Sequence, residues 1–316
     1  MALPPLRFGL DWTPNTAHCS LFSAAAEIQR LTGRTVQWVC PGDLGAPATP
    51  AQGLMDGTLE FGLVPCDQLV SIELQRPQTL QAVMNLHSQD ISALCVLASS
   101  PFHRPADLAG KRYASCGYPL EAATIKSIIR KDKKDRADED ILLIEECPLL
   151  RTKTEDMLLA GEADCAWMYM PWEVLRAKRA GIDLRCFPIQ HHASFGPMNM
   201  ICVKRNVLDP KLIRSLIKAV HEGARISRES PEASASILSI KLDHTVDKTL
   251  LEDGIKLMNE MGSLKGREGL EYGQFDPTVW KRFADFLAKD LRRKDLADLL
   301  SEGNDMWTNQ FFELNH

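Results

Sequence analysis

The sequence predicts an α/β fold built from two sheet-forming units and followed by a helical C-terminal tail. Short apolar runs alternate with runs of helical periodicity, which indicates parallel strands covered by helices on both faces. The same alternation starts again after Pro101, and the chain is almost entirely helical beyond Asp209. With 316 residues, the chain is long enough for two ordinary domains.

The first unit has a regular order of strand and helix. Strands are predicted over residues 6–10, 35–39, 59–64, 81–86 and 92–98. Helices are predicted over residues 19–31 and 51–56, and a third ends at residue 74.

The second unit repeats this order. Its strands are expected around Tyr113 and over residues 141–144, 164–169 and 183–187, with helices ending near residues 130, 160 and 180. Residues 131–140 form a mixed-charge segment that is typical of a solvated surface. A last strand over residues 197–203 leads into the tail. Lobe 1 is therefore predicted to contain residues 1–90 and 195–316, and lobe 2 residues 91–194.

Composition excludes several classes of partner. The net charge of −5 does not favour nucleic acid, and no apolar run is long enough for membrane insertion. The N-terminus lacks the pattern of an export leader, so a cytoplasmic location is expected, and a periplasmic or extracellular one only if a leader was removed. The nine cysteines are scattered singly without a Cys-x-x-Cys pair, which predicts reduced thiols with neither a zinc site nor a disulfide framework. No metal and no cofactor are predicted.

Three polar segments follow predicted strands, at residues 11–18, 65–68 and 115–121. Ligands of open α/β sheets bind beyond the carboxyl ends of the strands. In the third segment, Gly117 permits an unusual backbone angle and Pro119 suits a first helical turn. Glu121 could therefore offer its carboxylate to a ligand. The alternative is that Glu121 only complements the dipole of its own helix.

Five stretches of the chain together carry a family resemblance. They are residues 10–18 (LDWTPNTAH), 56–62 (DGTLEFG), 111–123 (KRYASCGYPLEAA), 161–172 (GEADCAWMYMPW) and 181–184 (GIDL). In the same order, they resemble the type II periplasmic-binding-protein-like superfamily. The group to which they are most similar comprises proteins that capture thiamine-pyrimidine precursors, together with the related yeast thiamine-pyrimidine synthases. The resemblance implies a two-lobed fold with a hinged cleft between the lobes, in which a flat nitrogen heterocycle binds.

The resemblance also implies which residues contact the ligand. Glu121 would accept a hydrogen bond from a ring amino group, and Asn15 and Asp67 would bind the polar edge. The aromatic residues would supply stacking faces, although core packing is an equal alternative for Trp167. The expected contact positions are Trp12, Asn15, His18, Asp67, Gly117, Tyr118, Glu121, Trp167, Tyr169, Trp172 and Asn199.

The sequence departs from this group at informative positions. Cys116 stands where the family has a tryptophan, which would remove one stacking wall. Val64 and Gln68 fall where the yeast synthases carry a lysine and a histidine, and residues 195–201 lack their cysteine cluster. The chemistry of those synthases is therefore not expected.

Catalysis through a cysteine is an alternative. Cys19, Cys66 and Cys116 lie at predicted strand ends or helix starts, where a helix dipole can lower the pKa of a thiol. The aryl-sulfinate desulfinases have a similar two-lobed architecture with a cysteine nucleophile near the first loop, but that cysteine does not align well with Cys19. The bland interpretation is that these thiols are small packing residues.

His18 is a further catalytic candidate. With Asp11 and Asp67 it could bind iron or act as a base, but capping of the following helix or a hydrogen bond to the pyrimidine is the favoured interpretation.

Two functions follow as hypotheses. The first is a binding protein for a thiamine-pyrimidine-like heterocycle in thiamine or pyrimidine precursor metabolism, with a transporter partner only if an export leader is missing. The second is a cytosolic biosynthetic enzyme on the same scaffold, which would use Glu121, His18 and Cys116 on a related heterocycle.

Overall fold

The structure, a computed structural model, consists of two compact units. Unit 1 comprises Met1–Gln89, Pro197–Pro277 and Gly303–His316, and unit 2 comprises Asp90–Gly196 and Thr278–Glu302. The structure describes residues 3–133, 142–145, 153–242, 244–301 and 305–312. The predicted charged segment lies outside the described residues from residue 134 onward.

Strands and helices follow the predicted order. The strands of the described chain are β1 (Leu6–Gly9), β2 (Val36–Val39), β3 (Phe61–Val64), β4 (Leu80–Asn85), β5 (Ser92–Leu97), β6 (Arg112–Ser115), β7 (Leu142–Glu145), β8 (Cys165–Tyr169), β9 (Leu184–Pro188) and β10 (Met200–Lys204). Its α-helices are α1 (Cys19–Ser23), α2 (Ala25–Thr32), α3 (Pro50–Asp56), α4 (Cys66–Gln75), α5 (Glu121–Lys133), α6 (Thr154–Leu159), α7 (Leu175–Arg179), α8 (Pro210–Glu229), α9 (Pro231–Lys241), α10 (Lys248–Glu260), α11 (Pro277–Lys289) and α12 (Lys294–Ser301).

Each unit contains one five-stranded sheet, in the order β2-β1-β3-β10-β4 in unit 1 and β7-β6-β8-β5-β9 in unit 2. The sequence predicted parallel sheets, but β10 is antiparallel to β3 and β4, and β5 is antiparallel to β8 and β9. These two are the strands by which the chain enters a unit from the other one. A parallel connection needs a crossover of a dozen or more residues, usually a helix. No α-helix lies between the point where the chain enters the unit, at Asp90 or Pro197, and the strand that follows.

Aromatic packing fixes β1 in the core of unit 1. The Phe8 ring centroid lies 5.3 Å from that of Trp38 and 6.1 Å from that of Phe61. Trp38 also contacts Phe22 of α1, with 4.8 Å between the ring centroids. The end of β1 and the start of α1 are therefore held on the same packed surface, and the loop between them has little freedom.

The helix predicted over residues 19–31 is divided at Ala24 into α1 and α2, and α8 crosses it closely at this point. α8 approaches α1 so closely at Gly223 that a Cβ atom there would lie 2.0 Å from the Ser20 carbonyl oxygen and 2.7 Å from the Ala24 nitrogen. Only glycine permits this approach.

Part of the C-terminal tail packs in unit 2, whereas the sequence placed all of it in lobe 1. The Phe283 ring centroid of α11 lies 5.5 Å from that of Phe195. After α11, Asp290 accepts a hydrogen bond from Arg130 through its carbonyl oxygen (2.8 Å) and pairs with Lys131 through its carboxylate (2.8 Å). These contacts hold residues 278–302 to α5 of unit 2.

None of the described helices combines the length and the apolar character that a span through a bilayer requires.

Candidate functional site

The loop after β1 is organised by a capped short helix. A 3-10 turn, Thr16–His18, precedes α1, and the Asn15 side chain accepts a hydrogen bond from the Ala17 N–H (2.8 Å). In return, Nδ1 of His18 accepts from the Asn15 N–H (3.2 Å). This reciprocal pair satisfies backbone donors that a helix start leaves open. His18 thus caps the helix start, which is one of the two favoured interpretations, and its predicted contact with a ligand stays a prediction.

Asp11 lies at the centre of a hydrogen-bonded group that contains three of the predicted contact residues of unit 1. This group is named here the Asp11 cluster and consists of Asp11, Asn15, His18 and Asn199. Nε2 of His18 lies 3.0 Å from Oδ1 of Asp11, and Nδ2 of Asn199 donates to its Oδ2 (2.7 Å). The Asp11 side chain is only 9% exposed. The Asn199 carbonyl oxygen accepts from the Leu86 N–H (2.9 Å), which ties β10 to the end of β4.

The hydrogen bonds of His18 determine its tautomer. Because Nδ1 accepts from a backbone N–H, the proton of a neutral ring is on Nε2 and is donated to Asp11. Both nitrogens are therefore engaged, and in this arrangement His18 orients Asp11 and leaves no lone pair for a base or a metal ligand. Among the described residues, there is no group of three or more His, Cys, Asp or Glu side chains placed to hold a metal ion.

His87 is a residue of this region that the sequence analysis missed. It is 8% exposed, and its Nδ1 lies 2.9 Å from the Ser263 hydroxyl oxygen. Burial, and next the nearby ring of His18, lower the pKa of His87 to about 3, although Asp11 and a backbone hydrogen bond with Ala17 oppose the fall. A lone histidine after a strand gives no sequence signal of this buried, neutral ring.

Asp67 occupies a different position, in the first turn of α4. It is 1% exposed, and its Oδ1 accepts from the Gln68 N–H (2.8 Å). The start of α4 is held by the Cys66 N–H, which donates to the Pro197 carbonyl oxygen (3.0 Å). Asp67 thus complements its own helix start, and its predicted contact with a ligand stays a prediction.

In unit 2, the turn between β6 and α5 closes on the Glu121 carboxylate. One oxygen accepts from the Tyr113 hydroxyl and the Cys116 N–H (3.2 Å). The other accepts from the Ser115 hydroxyl (2.8 Å) and the Tyr118 N–H (3.3 Å). Glu121 is 3% exposed, so four protein donors occupy the lone pairs of a buried carboxylate. This geometry favours a role in organising the turn, and its predicted ligand contact stays a prediction.

The same turn contains Gly117, with φ of +75° as the sequence predicted, and its N–H donates to Ser115 Oγ (3.0 Å). Cys116 and Tyr118 are half-buried beside it. Burial, together with the adjacent carboxylate of Glu121, holds the pKa of the Tyr113 hydroxyl well above its usual range. Tyr113 therefore remains a donor.

The four aromatic residues predicted to stack on a ligand differ in exposure. Trp12, Trp167 and Tyr169 are half-buried, whereas Trp172 is 5% exposed and packs beneath the guanidinium of Arg176, 5.2 Å from the ring centroid. Trp167 meets the Phe195 ring edge to face at 5.5 Å, and its indole nitrogen has no partner among the described residues.

The three cysteines predicted as possible nucleophiles also differ in their exposure to solvent. Cys19 and Cys66 are 0% exposed, and burial raises the pKa of Cys19 to about 11. A thiol of that kind is protonated near neutral pH and hidden from a substrate. Cys116 is half-buried, and its predicted role as a nucleophile stays a prediction.

Glu173 is a second residue that the sequence analysis did not single out. It lies in a π-helical turn, Met170–Val174, that follows β8, and its Oε2 accepts from the Tyr169 N–H (2.8 Å). Burial raises the pKa of Glu173 to about 7, although the nearby charge of Arg176 opposes the rise.

This carboxyl makes the stability of unit 2 depend on pH. The folded chain keeps the Glu173 proton to about pH 7, and the unfolded chain releases it near 4.5. We expect the free energy of unfolding to fall as pH rises between these values, by up to about 3 kcal/mol. Glu173→Gln should flatten this slope in urea unfolding at about pH 5 and about pH 8. The exposed Glu162→Gln should leave the slope unchanged; an unchanged slope in the Glu173 variant would contradict the assignment.

Comparison with known proteins places the chain in a family. The sequence pattern of the family described as NMT1/THI5 like matches residues 41–234, more than half of the chain. The chain belongs to the NMT1/THI5-like family. No curated protein matches the sequence significantly.

Solved structures resemble this NMT1/THI5-like chain over nearly its whole length. The alkanesulfonate-binding protein SsuA from Xanthomonas axonopodis pv. citri, bound to MOPS, is 15% identical with a TM-score of 0.67, over 93% of this chain and 95% of that chain. The Candida albicans CA3427 gene product, which exhibits the generic periplasmic binding protein structural fold, is 12% identical with a TM-score of 0.63, over 99% of both chains. The desulfurization enzyme DSZB is 14% identical with a TM-score of 0.59, over 98% and 96%.

These likenesses, all at low identity, bear on the fold alone. The periplasmic-binding-protein fold predicted from the sequence is confirmed. Membership in the NMT1/THI5-like family agrees with the superfamily that the sequence predicts. Neither the family nor the neighbours identify the ligand of this chain.

Proposed function

We propose that this NMT1/THI5-like chain binds a small nitrogen heterocycle of the thiamine-pyrimidine type. The observation that carries the proposal is the Asp11 carboxylate, which His18 and Asn199 hold in a fixed orientation. Each carboxylate oxygen has a second lone pair beyond these two bonds. An aminopyrimidine offers donors to such a group.

Electrostatics supports a neutral or cationic heterocycle over a sulfonate. The structural neighbours include proteins named for binding sulfonates, which are anions. A nearly buried carboxylate repels an anion brought close to it, because the interaction is weakly screened away from water. The Asp11 cluster therefore favours a ligand that donates hydrogen bonds.

The partner and the location remain part of the proposal. One neighbour is the ligand-binding component of an ABC-type import system from Staphylococcus aureus, and the Escherichia coli SsuA is described as periplasmic. A transporter partner would fit an exported form of this chain. A cytoplasmic location, in which the bound pyrimidine serves biosynthesis, is the expectation from the sequence. The sequence-based expectation that residues of both units contact one ligand also stays a prediction.

Calorimetric titration with the aminopyrimidine half of thiamine tests the proposal. Asp11→Asn should weaken binding about 10- to 100-fold, because it removes a charged acceptor worth about 1–3 kcal/mol. Asp43→Asn, which changes an exposed carboxylate of the same unit, should bind like the wild type. Heat from an alkanesulfonate and none from the aminopyrimidine would contradict the proposal.

A further inference from the structure

Two cysteines of unit 2 lie side by side on neighbouring strands. Cys95 of β5 and Cys186 of β9 are register partners in an antiparallel pair, and their Sγ atoms are 3.5 Å apart. A disulfide requires about 2.05 Å between the sulfurs, so a rotation of the side chains with a small strand adjustment suffices.

The two thiols have unequal surroundings. Cys95 is 0% exposed and belongs to a core cluster with Met157 and Leu158 of α6. Cys186 is half-buried, and its strand β9 is at the edge of the sheet. The hydrogen bond from Cys95 lowers the pKa of Cys186 and, by the same interaction, the pKa of Cys95 is raised. Cys186 is thus the more reactive and the more accessible thiol.

The position of β9 against β5 is fixed by contacts other than the sulfurs. Arg185 donates from its guanidinium to the carbonyl oxygens of Ala98 (2.9 Å) and Phe102 (2.5 Å). The backbone pairing runs from Ala93↔Pro188 to Leu97↔Leu184. The two thiols are therefore held in proximity by the fold itself.

We propose that Cys95 and Cys186 form a redox-active dithiol, which a peroxide converts to a disulfide joining β5 to β9. The Cys186 thiolate attacks one oxygen of hydrogen peroxide, the O–O bond breaks, and a sulfenic acid and hydroxide form. The Cys95 sulfur then attacks the sulfenic sulfur, an S–S bond forms, and water leaves. The two thiols together lose two electrons and two protons, and the peroxide is reduced to two waters.

The bond would join the first and the last strand of the longer segment of unit 2, Asp90–Gly196. β5 begins at Ser92, just after the chain first enters the unit at Asp90, and β9 ends at Pro188, before it first leaves at Gly196. Oxidation would thus close the chain between Cys95 and Cys186 into a covalent loop. Reduction by a thiol would open it again.

Peptide mapping of the full chain after hydrogen peroxide, with alkylation of the remaining thiols, tests the proposal. We expect a cross-linked peptide pair that contains Cys95 and Cys186, and dithiothreitol should abolish it. The same pair is expected in the control variant Cys40→Ser, which removes another half-buried thiol. In Cys95→Ser, dimedone should trap several-fold more sulfenic acid at Cys186 than in the wild type.

Two results would overturn the proposal. One is conversion of wild-type Cys186 to sulfinic acid without any cross-linked peptide, and the other is full alkylation of both cysteines after peroxide. If Cys95→Ser does not fold, the peptide map of the wild type decides. Cys186→Ala, on the edge strand, is then the control that must lack the cross-link.

Discussion

Arg176→Ala is expected to lower the free energy of unfolding by about 3–5 kcal/mol, because it leaves a buried carboxylate without its partner. Arg176 of α7 binds Glu155 of α6 through two parallel hydrogen bonds, from Nε to Oε1 and from Nη2 to Oε2 (2.7 Å). The Glu155 side chain is 3% exposed. The variant would also remove the guanidinium that packs on Trp172 and whose charge opposes the pKa rise of Glu173.

Urea unfolding measures this loss, and the chain offers two controls. Arg225→Ala removes an exposed guanidinium that pairs with Glu222 and Glu229, and it should change stability little because exposed ion pairs contribute little. The double variant Glu155→Leu/Arg176→Met should recover most of the lost stability, since it buries no unpaired charge. A double variant as unstable as Arg176→Ala would contradict this explanation.

Glu121→Gln is expected to lower the free energy of unfolding by about 2–4 kcal/mol, since hydrogen bonds to a charged group are worth about 1.5–3 kcal/mol each. The amide nitrogen cannot accept a hydrogen bond. It would therefore face either the Tyr113 hydroxyl and the Cys116 N–H, or the Ser115 hydroxyl and the Tyr118 N–H. At least one backbone donor would then be left without a partner in a buried turn.

Thermal or urea unfolding tests this variant beside Tyr113→Phe, which removes one of the four donors and should cost less. The ligand titration distinguishes the two roles of Glu121. Unchanged stability with a weakened affinity for the aminopyrimidine would contradict the role in the turn and support the contact that the sequence predicted.

The sequence predicts the elements well because their signals are local. The apolar runs that become β1 and β3, and the proline starts of α8 and α9, depend on residues a few positions apart. The antiparallel direction of β5 and β10 has no such signal, because it depends on how the chain crosses between units. The close approach of α8 to α1 at Gly223 likewise depends on a packing contact between residues some 200 positions apart in the chain.

The candidate site is predictable only in part for the same reason. The sequence selects Asn15, His18 and Asn199 through resemblance. Asp11 contacts Asn199 only because the carboxyl end of β1 and the amino end of the antiparallel β10, with β3 between them, lie at the same edge of one sheet. The sequence pattern likewise does not show that the Glu121 carboxylate accepts hydrogen bonds from Tyr113, Ser115 and Cys116. His87 belongs to no motif, and only its burial beside Asp11 and His18 in the structure identifies it.

Native mass spectrometry of the purified chain, incubated with equal amounts of the aminopyrimidine half of thiamine and an alkanesulfonate, tests the central claim most directly. We predict a complex with one molecule of the aminopyrimidine at its unchanged mass, and loss of that complex in Asp11→Asn but not in Asp43→Asn. A complex with the sulfonate alone, or release of the pyrimidine as a converted product, would contradict the account of this chain as a binding protein for the heterocycle.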